Sequence, residues 1–128
     1  MGNYTEAIQK IINIIESRYN FKVIKYCFDL PEDITGQIDY KKRLIMLNAN
    51  VVSAKHALKV LCHEFGHLIS FVKYGDREQP PKPERERWAY LYGWKIVCRY
   101  NLKNLISKQE WKKYHEDEIK EIKEYYNQ

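Results

Sequence analysis

Two histidines and a glutamate within five residues offer the clearest chemistry in this sequence. The stretch is His63-Glu64-Phe65-Gly66-His67. Inside a helix, a spacing of four residues places both imidazoles on one face, where their neutral nitrogens can bind one zinc ion at about 2.0 to 2.1 Å. Glu64 lies beside that face, so it can stay off the metal and accept a proton from a water that the metal activates. The pattern predicts a zinc site with Glu64 as its general base.

The residues around this motif predict the helix that it requires. Ser53 can cap the N-terminus of the helix, and Gly75 is typical of its C-terminus. Between them the apolar residues recur at helical spacing: Ala57, Leu58, Leu61, Phe65, Leu68, Ile69 and Val72. Gly66 costs a helix about 1 kcal/mol relative to Ala, so we expect another backbone to pack against it, namely the strand just before the helix. Imidazoles in an apolar run need polar partners, which favours a metal site over two surface histidines.

A catalytic zinc site of this type has a third protein ligand and leaves the fourth position to water or substrate. The candidates for the third ligand are Asp76, Glu84, Glu86, His56 and His115. His56 precedes His63 by two helical turns, which is too far along the axis to share one metal. Asp76 would have to reach back from the loop that follows the helix. The two glutamates open the next predicted helix and are the better candidates.

That next helix is predicted from Glu84 to Tyr100, after the break Pro80-Pro81-Lys82-Pro83. A stripe of small residues runs along one side of it: Ala89, Gly93 and Val97. Glu86 is in phase with this stripe, which allows tight packing against the histidine helix and brings Glu86 toward the metal. Glu84 is out of phase with this stripe. The helix dipole is sufficient to explain a glutamate in the first turn, without any role in metal binding. The phase therefore favours Glu86 over Glu84.

The order of these features resembles the ImmA/IrrE family of zinc metallopeptidases. A strand at Leu44 to Leu47 precedes the histidine helix, and Glu86-Arg87-Trp88-Ala89 follows it, so the resemblance covers residues 30 to 97. In that family the glutamate of a Glu-x-x-Ala element on the second helix completes the zinc site. This chain differs from the family pattern at Tyr90 and at Tyr92-Gly93, and no helix-turn-helix module is recognisable in it.

The resemblance implies a zinc metalloendopeptidase that performs limited proteolysis of a specific intracellular protein, often a repressor that governs a mobile element or a stress response. It implies His63, His67 and Glu86 as zinc ligands and Glu64 as the catalytic residue. Zinc is the expected cofactor, and a protein substrate or regulatory protein is the expected partner. One alternative is a catalytically silent binding module on the same fold that antagonises a regulatory protein. Another is a zinc hydrolase of non-peptide substrates. Three residues remain open as oxyanion stabilisers: Tyr74, Tyr90 and His115.

Length, charge and cysteine content narrow the class of protein. With 128 residues, 45% of them hydrophobic, the chain predicts a single domain over residues 1–128. No apolar stretch approaches the roughly 20 residues of a membrane span, so a soluble cytoplasmic protein is expected. The net charge is +5, but basic and acidic residues alternate from Glu110 to Glu124, which disfavours nucleic acid as the partner. The three cysteines lack ligand spacing, and Cys62 is interpreted as a small core residue.

The remaining segments predict the frame that holds the site. Asn3 can cap a first helix that ends near Asn20. Three strands follow: Phe21 to Phe28, then a hairpin of Gln37 to Tyr40 and Leu44 to Asn48. The last strand is nearly all apolar, so both of its faces should be covered. Ser107 with Glu110 predicts a capping box for a final helix that packs through three residues: Trp111, Ile119 and Ile122. The predicted fold is α+β, with a small, three-stranded antiparallel sheet packed with four helices.

Overall fold

A computed structural model describes residues 3–51, 53–75 and 82–126, and their side chains except those of 82, 83 and 121–126. In chain order the elements are α1 (Tyr4–Tyr19), β1 (Lys22–Cys27), β2 (Gly36–Asp39), β3 (Leu44–Asn48), α2 (Ala54–Tyr74), α3 (Lys82–Arg99) and α4 (Lys108–Tyr126). Four helices and a small sheet confirm the predicted α+β class. Among the described residues, no helix is both long enough and apolar enough to cross a membrane.

The sheet is mixed, so the prediction of a purely antiparallel sheet is wrong for β1. The strand order is β1-β3-β2. β2 and β3 form the predicted antiparallel hairpin, in which Gln37 is opposite Met46, whereas β1 is parallel to β3, with Val23 opposite Ile45. The loop of residues 28–35 lets the apolar strand β3 take the central position between β1 and the more polar β2. Since the chain reverses direction twice between β1 and β3, these two strands run the same way.

The two faces of β3 differ in burial. Ile45 and Leu47 point into the hydrophobic core, whereas Leu44 and Met46 are only partly buried. α1 packs on β1 and α2, and α2 packs on β2 and β3, so the helices cover the face that carries Ile45 and Leu47. The expectation that both faces of this strand are covered is therefore met fully on the face of Ile45 and Leu47 and in part on the other face.

The helix ends follow the predicted capping residues. Each predicted N-cap side chain accepts a hydrogen bond from the backbone N–H three residues later, at 3.0 Å for Asn3, 3.3 Å for Ser53 and 3.1 Å for Ser107. At the C-termini of α1 and α2, Asn20 and Gly75 have positive φ angles of 55° and 72°. These local signals fix where α1, α2 and α4 begin, and the helical period sets which residues of each helix share a face.

Candidate metal centre

The backbones of α2 and α3 approach each other closely at Gly66. A Cβ atom at this position would collide with the carbonyl oxygen of Ala89 and would lie 2.9 Å from the nitrogen of Gly93. The sequence predicted a close backbone here but assigned it to the preceding strand, and that assignment is wrong. The neighbour is α3, because its small residues leave its backbone uncovered on the side facing α2. This contact brings the histidines of α2 to the first turns of α3.

Three side chains meet at this helix contact. Nε2 of His63 lies 2.8 Å from Oε2 of Glu86, and Nε2 of His67 lies 3.3 Å from Oε1 of the same carboxylate. The two imidazole centroids are 4.8 Å apart with their planes at 87°. One potential ligand atom from each residue lies within 4.8 Å of the others. The structure thus brings together the three residues that the sequence proposed as metal ligands.

The burial and bonding of this cluster fit a divalent cation. His63, His67 and Glu86 are 4%, 9% and 8% exposed. Although Oε2 of Glu86 is close to His63, it has no hydrogen bond of normal geometry within the described part of the chain. A buried carboxylate oxygen without such a bond is costly unless another group engages it. Two imidazole nitrogens and a carboxylate oxygen are a common donor set for zinc, which acts as a Lewis acid when bound.

The pKa values of His63 and Glu86 are shifted by their surroundings in the cluster. Burial opposes the charged form of His63, but pairing with Glu86 and the charge of Glu64 outweigh it and raise the pKa of His63. Burial likewise opposes the charged form of Glu86, yet pairing with the two histidines holds its pKa far below the ordinary value. Without metal, the contact between Glu86 and His63 therefore favours the charged form of each group.

Glu64 lies beside this cluster rather than within it. Its side chain is 7% exposed and lies near the start of β2, where a Cβ atom on Gly36 would be 3.5 Å from Cγ of Glu64. Its carboxylate is close enough to His63 to raise the pKa of that imidazole. This position is compatible with a carboxylate that acts next to a metal. The general-base role of Glu64 stays a prediction.

α4 contributes a face to the site that the sequence did not reveal. The ring of Tyr114 lies 5.5 Å from that of His63, at 71°. Burial and the nearby charge of Glu118 raise the pKa of Tyr114 well above its ordinary value, so the phenol stays neutral. The only sequence signal for this face is the spacing of Trp111, Tyr114 and Glu118 along one side of the helix.

The other candidates for the third ligand lie apart from the cluster or outside the described residues. Glu84 is exposed, and Asp76 is not among the described residues. His56 lies near Tyr114, at 6.0 Å between ring centroids. His115 stacks on Tyr90 with centroids 4.5 Å apart. None of these contacts joins the His63, His67 and Glu86 cluster.

Two further predicted residues have contacts of their own. The hydroxyl of Tyr74, a candidate oxyanion stabiliser, lies 3.1 Å from that of Tyr92, and its ring packs against Trp88. Cys62 is fully buried, and burial raises the pKa of its thiol to about 12. Cys62 is therefore a core residue, in agreement with its sequence interpretation, and is not poised as a thiolate ligand.

Comparison with known proteins identifies a shared fold. No protein-family model matches the sequence, and no curated protein matches it. A solved structure of a Mycobacterium tuberculosis transcriptional regulator superposes with a TM-score of 0.52 at 11% sequence identity. The match covers 89% of this chain and 36% of the regulator, so the chain spans about a third of that protein's length.

This comparison corrects the function expected from the sequence. The solved protein with the shared fold is a transcriptional regulator, which contradicts the prediction of a zinc metallopeptidase performing limited proteolysis. At 11% identity the comparison itself establishes the fold alone.

Proposed function

We propose that this chain is a zinc-binding domain of a regulatory protein, in which metal occupancy controls contact with a protein partner. The observation that carries the proposal is the buried cluster of His63, His67 and Glu86 at the contact between α2 and α3. The match to about a third of a transcriptional regulator supports a domain of such a protein. A metal bound by the two histidines in the middle of α2 and by Glu86 near the N-terminus of α3 would hold the two helices together. Metal binding would therefore stiffen the surface that these helices present to a partner.

The same residues support two narrower proposals. We propose that the chain is related to the ImmA/IrrE family. Two features support this: β3, the histidine helix α2 and the helix α3 that carries Glu86 follow in the order of that family, and His63, His67 and Glu86 meet in one cluster. A cytoplasmic location is proposed because a metal-dependent regulator of gene expression acts there. That the site also hydrolyses a bond stays a prediction, and Glu64 is the residue that tests it.

The metal site is tested by matched glutamate variants. Wild type purified from zinc-supplemented cells should carry equimolar zinc by elemental analysis. Glu86→Ala should lose it, because two imidazoles alone bind zinc weakly, whereas Glu84→Ala should retain it because Glu84 is exposed and outside the cluster. Retention in Glu86→Ala with loss in Glu84→Ala would reverse the assignment of the third ligand. A wild type that binds no zinc would refute the proposed metal centre.

The regulatory role is tested by the effect of the protein on transcript levels. Induced expression of wild type should change a defined set of transcripts, and His63→Ala should abolish the change because it removes a metal ligand. Glu64→Gln should preserve both the zinc content and the transcript response, since regulation by occupancy does not need a general base. If Glu64→Gln keeps zinc but loses the response, hydrolysis is required and the occupancy mechanism is wrong.

A further inference from the structure

The sheet has a second face, opposite the one on which the helices pack. The two helices that pack on the sheet, α1 and α2, cover the face that carries Ile45 and Leu47. Side chains alternate between the faces of a strand, so the residues between these two and their cross-strand partners form the outer face. Its two rows are Lys22, Leu44 and Asp39, and then Ile24, Met46 and Gln37.

The middle of this outer face is apolar and only partly buried. Ile24 is opposite Met46 on the neighbouring strand, and both are partly exposed, as is Leu44. At the end of β1, the side chains of Tyr26 and Phe28 are 68% and 85% exposed. An exposed apolar patch bordered by charged residues is typical of a contact between proteins, and methionine and aromatic residues are enriched in such contacts.

Opposite charges lie at the two ends of the strands. At the end where β1 and β3 begin, three lysines are exposed: Lys22, Lys41 and Lys42. On the loop that follows β1, at the opposite end, three carboxylates are exposed: Asp29, Glu32 and Asp33. Within the part of the chain that the structure describes, none of these six side chains forms an ion pair. Their charges are therefore available to a partner.

The backbone of the acidic loop is held in place by two asparagines. Nδ2 of Asn48 donates hydrogen bonds of 3.0 and 2.7 Å to the carbonyl oxygens of Pro31 and Ile34. Nδ2 of Asn50 donates one of 3.1 Å to the carbonyl oxygen of Glu32. A loop fixed in this way loses less conformational entropy when it binds a partner, which favours binding.

We propose that the outer face is the contact surface of a homodimer, in which two copies of the chain pack face to face with their strands antiparallel. A twofold axis in the plane of the contact and perpendicular to the strands places the basic end of each copy over the acidic end of the other. Strands running the same way would bring lysines against lysines. A second copy is the partner that these charges specify, because a twofold contact requires a surface that complements itself.

Charge reversal at the two ends tests this arrangement, with the dimer dissociation constant measured by sedimentation equilibrium on the full chain. One triple variant makes both ends acidic: Lys22→Glu, Lys41→Glu and Lys42→Glu. The other makes both ends basic: Asp29→Lys, Glu32→Lys and Asp33→Lys. Each variant alone should dimerise at least about tenfold more weakly than wild type, because like charges then meet in both contacts. An equal mixture of the two should recover dimers, because the ends of the two variants complement each other.

Two further variants separate the outer face from other surfaces. A matched triple variant changes three lysines that are exposed outside the sheet and should dimerise like wild type: Lys103→Glu, Lys108→Glu and Lys112→Glu. Met46→Gln should weaken the dimer, because it places an amide in the apolar middle of the contact. If Met46→Gln does not fold, as judged by circular dichroism, the charge variants decide, since all six reversed positions are exposed.

Three results would overturn the proposal. They are a wild type that stays monomeric up to its highest soluble concentration, charge-reversed variants that dimerise like wild type, and a mixture of the two folded variants that does not recover dimers. The test is independent of the proposed metal centre, because the histidines are on α2, which packs against the other face of the sheet. Failure to bind zinc would therefore leave the proposed dimer in place.

Discussion

At the scale of single residues, Glu86 and His63 stabilise each other's charged forms. The pKa of His63 is raised and that of Glu86 is lowered, although burial alone would move each in the opposite direction. The contribution of His63 to the free energy of unfolding is complete below its ordinary pKa of 6.5. It is lost as the pH rises through the higher pKa that His63 has in the folded protein. The contribution of Glu86 is complete above its ordinary pKa of 4.5. It is lost as the pH falls through the lower pKa that Glu86 has in the folded protein. In the metal-free protein, both contributions are present between these two ordinary values.

Zinc affinity should therefore depend on pH through His63. Metal binding must displace the proton that the raised pKa retains on His63, so affinity should rise by about tenfold per pH unit below the folded pKa and level off above it. Competition with a chelator of known affinity, from mildly acidic to mildly basic pH, measures this slope. His56→Gln is the matched control, because His56 is on the same helix but outside the cluster, and it should keep the slope. A pH-independent affinity would show that His63 does not carry the displaced proton.

At the scale of elements, the contact between α2 and α3 sets the geometry of the cluster. Gly66 faces the backbone of α3 at Ala89 and Gly93, and Gly93 in turn lies under the ring of Trp111 from α4. Small residues on both helices thus allow α2, α3 and α4 to converge at one point. Because Glu86 is one turn before Ala89 on α3, this convergence determines how close its carboxylate comes to His63 and His67.

Gly66→Ala should destabilise the protein even though Ala favours helix. The added methyl group meets the carbonyl of Ala89, which is backbone and cannot rotate away as a side chain can. Overpacking of this kind costs about 1 to 3 kcal/mol, and the gain in helix propensity offsets about 1 kcal/mol of it. Urea unfolding should show a lower free energy of unfolding for Gly66→Ala. Val72→Ala, on the same helix at a position 60% exposed, should differ little from wild type.

The effect of Gly66→Ala on metal binding is a second measurement. If the helices separate to accommodate the methyl group, Glu86 moves away from the histidines and zinc affinity falls as well. Higher stability in Gly66→Ala than in wild type would show that the helices are not in backbone contact at this position. Lower stability with unchanged zinc affinity would place the strain away from the cluster.

At the scale of the whole molecule, metal binding and folding should be linked. The cluster draws its residues from two helices that are joined in the chain by residues 75–81, and the unfolded chain has no preformed site. A ligand that binds the folded state alone stabilises it by about 2.7 kcal/mol when its free concentration is a hundred times the dissociation constant. The contacts of Glu86 with the two histidines limit the net gain, because zinc must replace them.

Zinc should raise the midpoint of thermal unfolding in proportion to the logarithm of its free concentration. Differential scanning calorimetry across a series of buffered zinc concentrations measures the shift, and Glu86→Ala should remove it. Glu64→Gln should retain the shift, since Glu64 is outside the cluster. An equal shift in wild type and Glu86→Ala would indicate zinc binding elsewhere on the chain.

The local parts of this protein were predictable from short-range patterns. The helix caps at Asn3, Ser53 and Ser107 and the ends at Asn20 and Gly75 depend on neighbouring residues alone, so the sequence located them correctly. The class of the fold and the hairpin of β2 and β3 follow from the same kind of pattern. The phase of Glu86 with Ala89 and Gly93 was readable for the same reason, since helical periodicity fixes which side chains share a face.

Contacts between distant segments were decided by tertiary structure. The parallel pairing of β1 with β3, the choice of α3 as the neighbour of Gly66 and the position of Tyr114 over His63 all join segments far apart in the chain. No local pattern encodes such pairings, because they depend on which of several apolar surfaces pack together most completely. The sequence by itself determined that two imidazoles and a carboxylate could share one cation. Only the packing of the helices and sheet decided that the cluster is buried beneath α4, since burial is a property of the assembled core.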